Sequence, residues 1–142
     1  MAVYFFTEDV NYKLTQKLKI TKWLNAIAKE HHKKTSALNF IFCSDAFLLN
    51  LNQTYLNHNT LTDIITFEYS RPKDKFVSGD IYISIERVGE NAKKFNTTPE
   101  NELHRVLAHG LLHLLGYTDK TKAAKMLMRK QEDHCLTLLL NI

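Results

Sequence analysis

The sequence predicts an α+β fold: one domain over residues 1–142, with a single sheet of about four strands packed by helices. Two observations carry this. Short runs rich in β-branched and aromatic residues alternate with longer segments whose apolar residues recur at helical spacing. The chain, at 142 residues with only 4 Gly and 2 Pro, is long enough for a sizeable core and too poor in breakers for long linkers. No internal repeat and no composition shift marks a domain boundary.

The elements follow in order. "VYFF" (3–6) reads as a first strand. In "KITKWLNAIAKEHHKK", Ile20, Trp23, Leu24, Ile27 and Ala28 form one apolar stripe, and the cationic end suits a helix C-terminus. "LNFIFC" (38–43) is a second strand. Ser44 or Asp45 then caps a helix bearing Phe47, Leu48, Leu51 and Tyr55. "DIITFEYS" (63–70) is a third strand, followed by a polar loop, "RPKDKFVSG". "DIYISIE" (80–86) is a fourth, with Ile81, Ile83 and Ile85 on one side and Tyr82 and Ser84 on the other. A short helix passes through Val88 and Ala92 to Phe95. The next opens with a Thr cap and Pro99, carries Glu100 and Glu102 in its first turns, and stops at Gly116. A last helix runs from about Lys120 to Leu140.

Composition narrows the function classes. Cys43 and Cys135 form no CxxC pair, which argues against a thiolate zinc site and for a reducing, cytoplasmic setting. The N-terminus lacks a basic region and a small-residue cleavage site, and no apolar run approaches a membrane span. The formal net charge of +4 is compatible with a polyanionic partner.

The chemistry concentrates in "LAHGLLHLLGYTD" (107–119). Residues four apart on an α-helix lie within about 40° of one another. His109 and His113 can therefore aim their rings at one point. Every other residue from Val106 to Leu115 is apolar or Gly, so this part of the helix reads as buried. A buried imidazole needs partners for both nitrogens, and one bound metal answers for one nitrogen of each ring. Gly116 breaks the helix and lets Asp119 return as a third ligand, leaving the open position that catalytic zinc sites keep. The bland alternative is a pair of core histidines beside a helix-capping aspartate. His31, His32, His58, His104 and His134 read as exposed or locally bonded. Gly110, costly inside a helix, implies a close approach by another element or by substrate.

These residues resemble the YbeY family of bacterial rRNA-maturation endoribonucleases, whose signature is HGxLHLxGYDH. Here it stands as "HGLLHLLGYTD". Upstream, "LNQTYLNHNTLTDIITFEY" is similar to the family's LNxxYRxxDxxTDVLSFP, and "GDIYIS" to its GDI strand. The resemblance implies a compact fold distantly like zinc metallopeptidases and one zinc ion per chain. It implies metal-dependent cleavage of single-stranded RNA in small-subunit rRNA maturation and ribosome quality control. The ribosomal small subunit would be a partner, with no DNA and no membrane. The first two metal ligands carry over onto His109 and His113. Three positions depart: the third family histidine falls on Asp119, an arginine on Leu56, and a strand-ending proline on Glu68. His58 is the nearest substitute cation for substrate binding, and Lys93 or Lys94 lies further off.

A water activated by the metal can attack a phosphodiester or a peptide bond. In HExxH peptidases a Glu follows the first histidine as base, whereas here Gly110 does. The general base is unassigned. Glu102, on the same helical face two turns before His109, is the candidate, against a helix-start or ligand-orienting role. Asp63 and Asp80 either line the cleft or begin strands. Two other readings stand: a non-catalytic ribosome-assembly factor with a structural metal, and a metal-dependent hydrolase of another substrate.

Overall fold

A computed structural model describes residues 2–58 and 60–142. Its elements run β1 (Val3–Thr7), α1 (Lys17–Glu30), β2 (Lys34–Cys43), α2 (Asp45–Tyr55), β3 (Ile64–Glu68), β4 (Phe76–Ser84), α3 (Ile85–Lys94), α4 (Pro99–Leu114) and α5 (Lys122–Leu140). The four strands form one sheet in the order β1-β2-β4-β3. β1, β2 and β4 are parallel, and β3 pairs antiparallel with β4 at the edge.

The strand alternation divides the residues between two faces. Leu38, Phe40 and Phe42 of β2 and Val77, Ile81 and Ile83 of β4 point to the main core, shared with α1, α4 and α5. Trp23 of α1 donates its indole N–H to the Cys135 carbonyl at 2.7 Å, so the largest core side chain has no orphaned donor. On the other face, α2 covers a smaller cluster of Cys43, Leu48 and Ile65 with Phe47, Phe67 and Tyr82.

Helix ends follow their sequence signals. The hydroxyls of Ser44, Ser84, Thr98 and Thr121 each accept a backbone N–H from the first turn of the helix they precede. Several boundaries differ from expectation, most of all those of β2 and β4. β2 begins at Lys34 because a bulge between Thr35 and Leu38, with Ala37 at φ 51°, interrupts the alternation. β4 begins at Phe76, so the end of the expected polar loop is strand, and Ile85 starts α3 because Ser84 caps there.

Gly110 sits where α4 crosses the sheet. A Cβ there would lie 2.8 Å from Ile81 Cγ2 and 3.0 Å from Ile64 Cδ1, so the missing side chain lets α4 seat against β3 and β4.

Candidate metal centre

α4 delivers the two histidines. Its C-terminus closes as a Schellman turn: Gly116, at φ 108°, donates to the His113 carbonyl at 3.1 Å, and Tyr117 donates to Leu112 at 3.0 Å. That reversal brings Asp119 back over the helix. His109 Nε2 and His113 Nε2 stand 3.0 Å apart, and Asp119 Oδ2 is 3.5 Å from the first and 3.6 Å from the second. Donors about 2.0–2.1 Å from a tetrahedral zinc stand about 3.3 Å from one another, so these three atoms fit one face of such a site. Among the described residues no fourth His, Cys, Asp or Glu donor joins this group.

The donor chemistry also fits. His109 Nδ1 donates to Glu132 Oε2 at 2.6 Å, which fixes the tautomer and leaves the Nε2 lone pair facing His113 and Asp119. Glu132, almost wholly buried on α5, is itself held by Arg105 Nη1 at 3.0 Å, and Arg105 Nη2 reaches Asp133 at 2.8 Å. Burial opposes a charge on His109, but Glu132, Asp119 and Asp63 outweigh it and raise its pKa. Burial and the neighbouring His109 lower that of His113.

The triad opens on a cavity of about 400 Å³, lined also by Asp63, Asn91, Phe95, Glu102, Arg105, Arg129 and Glu132. Four carboxylates face two guanidiniums there, an imbalance that a divalent cation would offset. Glu102 is buried, and among the described residues its carboxylate has no hydrogen-bond or ion-pair partner. Burial raises its pKa first, and Asp63 adds to this, against Arg105 and Arg129. Burial likewise raises Asp63.

The other sequence candidates divide. Asp63 lines the cavity, as one reading held. Asp80 does not: it lies within β4 on the opposite sheet face, accepting from Asn39 at 3.0 Å and from Tyr69 at 2.7 Å. Leu56 and His58 line an adjoining groove that shares Thr62 and Ile64 with the cavity. His31 is locally bonded, to the Ile27 carbonyl and the Tyr117 hydroxyl at 2.9 Å each, and His134 meets Glu30. Sequence reasoning missed Glu132 and Arg105. One signal was present: Glu132 interrupts the stripe Met128, Cys135 and Leu139 of the last helix, where an apolar residue belongs.

Comparison with known proteins identifies the family. The family described as "Endoribonuclease YbeY" matches residues 4–139. The Cytophaga hutchinsonii protein of that name is 52% identical over 137 residues, covering 96% of this chain and 95% of that relative. The Flavobacterium psychrophilum protein of the same name is 44% identical over 133 residues, covering 94% of each. The solution structure of TM1509 from Thermotoga maritima superposes with a TM-score of 0.68 at 26% identity, covering 99% of this chain and 90% of that one. With a family match over nearly its whole length and relatives this similar, the chain belongs to the YbeY endoribonuclease family.

Proposed function

We propose that residues 1–142 act as one metal-dependent endoribonuclease domain, cleaving single-stranded RNA with one zinc ion held by His109, His113 and Asp119. Its place would be small-subunit rRNA maturation and ribosome quality control in the cytoplasm, with the ribosomal small subunit as partner and without DNA or membrane. The observation that carries the reading is the convergence of three donor atoms, spaced for one tetrahedral ion, at the wall of an open cavity. A purely structural zinc is usually closed by four protein ligands, which favours catalysis over the assembly-factor reading.

A bound divalent ion supplies Lewis-acid stabilisation of a phosphoryl oxygen and a water acidic enough to attack near neutral pH. The chain does the rest. His109, oriented by Glu132, and His113 present their Nε2 atoms on one side, and Asp119 adds an anionic donor. Glu102 acts as proton carrier: its raised pKa lets a carboxyl oxygen take a proton from the attacking water and return it to the leaving oxygen. Gly110 stands where HExxH peptidases carry their base, so peptide hydrolysis lacks that group.

Elemental analysis of the purified protein should give about one zinc per chain. Single-stranded RNA should be cut, and dialysis against chelator should abolish cleavage until zinc is restored. Duplex RNA, single-stranded DNA and casein serve as controls. Cleavage of casein with RNA left intact would overturn the reading, as would full RNA cleavage by metal-free protein.

A further inference from the structure

We propose that Phe95 and Arg129 form a nucleotide subsite at the rim of the metal cavity, Phe95 stacking on a base and Arg129 gripping a phosphate. The proposal rests on the endoribonuclease reading and specifies how the substrate is held there. Phe95 caps α3 and Arg129 projects from α5. Both helices pack on α4, and both side chains line the cavity that the histidines face.

Their availability distinguishes them from the rest of the lining. Arg105, the cavity's other arginine, is spent on Glu132 and Asp133 and is mostly buried. Arg129 keeps 62% of its side chain exposed, and its contact with Glu132 is 3.9 Å, at the limit for an ion pair. A guanidinium so placed can take two phosphate oxygens. Phe95 is 56% exposed, with the Lys94 ammonium 5.7 Å from its ring centre. An exposed ring beside cations is the chemistry that holds unpaired nucleotides: the base stacks and the backbone is neutralised. A duplex keeps its base faces covered, so the same ring would favour single strands. The position that carries arginine in the family pattern is Leu56, in the adjoining groove, and Arg129 offers a cation in the cavity itself.

The test is binding of a labelled single-stranded oligoribonucleotide to zinc-loaded protein, measured by fluorescence anisotropy at low temperature across a salt series. Phe95→Ala should weaken binding on the order of ten- to a hundredfold. Phe95→Trp should restore it, and zinc content and melting temperature check that each variant is folded. An abasic ribose-phosphate oligomer should bind wild type and Phe95→Ala alike. Arg129→Gln should weaken binding and flatten the plot of log affinity against log salt by roughly 0.7, one phosphate contact on a single strand. If wild type binds and either variant stays within twofold of it, the paired subsite is overturned while the endoribonuclease reading stands. A Phe95→Ala deficit that persists on the abasic oligomer overturns the stacking. Wild type that binds no RNA even at low salt overturns both.

Discussion

The two walls of the cavity are built on different principles. On the α4–α5 wall a chain of contacts holds the first histidine: His109 is fixed by Glu132, Glu132 by Arg105, Arg105 by Asp133. The wall leading into β3 is different. Leu56 is 44% exposed, His58 is exposed, and this stretch approaches the cavity as a groove rather than as packed core. Ligands that must meet an ion within tenths of an ångström belong on the rigid wall. A surface that accepts a flexible strand tolerates looser placement. Damage to the first wall should therefore be large and read out in metal, and changes to the second small and read out in RNA.

The largest effect is expected from His109→Ala with His113→Ala, which removes both neutral donors from α4. Elemental analysis should find the zinc gone while the circular dichroism of the fold persists. Unchanged metal content would refute the site. Glu132→Gln comes next. It leaves the ligands in place but removes the anion that orients His109, and zinc affinity measured by competition with a chromogenic chelator should fall tenfold to a hundredfold. Equal affinity in the variant would reduce Glu132 to a partner of Arg105 alone.

Gly110→Ala attacks the same wall through packing. The new methyl would meet Ile81 and Ile64 inside contact distance, and cores respond to such crowding with losses of about 1–3 kcal/mol. Denaturant unfolding measures this. A variant as stable as wild type would show that α4 has room to move off the sheet.

How far the sequence disclosed these walls follows from the range of the interactions involved. The i, i+4 histidines, the Thr98–Pro99 helix start and the Gly116 stop are local signals, and the structure has each where local physics puts it. The strand cores were legible for the same reason. The early starts of β2 and β4 were not, because a bulge broke the alternation of one and a polar sequence disguised the other. The Glu132–His109 bond joins residues 23 apart, and no periodicity predicts which helix face meets which. Asp80 misled for a related reason: its position in the sequence was right for a cleft, but the pleat turned it to the other face.

Glu102 stands on α4 without such a partner among the described residues, and a smaller effect tests its environment. Burial and Asp63 raise its pKa in the folded chain above the unfolded value. The folded state then holds its proton more tightly, so wild type loses stability as pH rises from the ordinary carboxylate range through the raised value. Glutamine has no proton to lose. In metal-free protein, Glu102→Gln should therefore melt higher than wild type at neutral pH, and the gap should close in acid. Loading zinc should narrow it, since the cation offsets the same negative charge. A variant less stable than wild type at neutral pH would mean that Glu102 is ionised without cost.

The smallest effect is expected on the groove. Leu56 is the C-cap of α2 and stands exposed beside His58, with Thr62 and Ile64 linking this groove to the metal cavity. Among the described residues, no ion pair fixes a side chain lining this groove the way Glu132 fixes His109. A guanidinium introduced by Leu56→Arg would therefore be free to find a phosphate, and also free to stay in water. One added contact on a single strand corresponds to a steepening of the salt dependence by roughly 0.7, with affinity at low salt rising a few-fold. Because Arg129 already supplies a cation in the proposed subsite, the gain should be larger in an Arg129→Gln background than in wild type. If Leu56→Arg changes neither affinity nor salt slope in either background, the strand does not run along this groove, and RNA leaves the metal cavity past α3 and α5 instead.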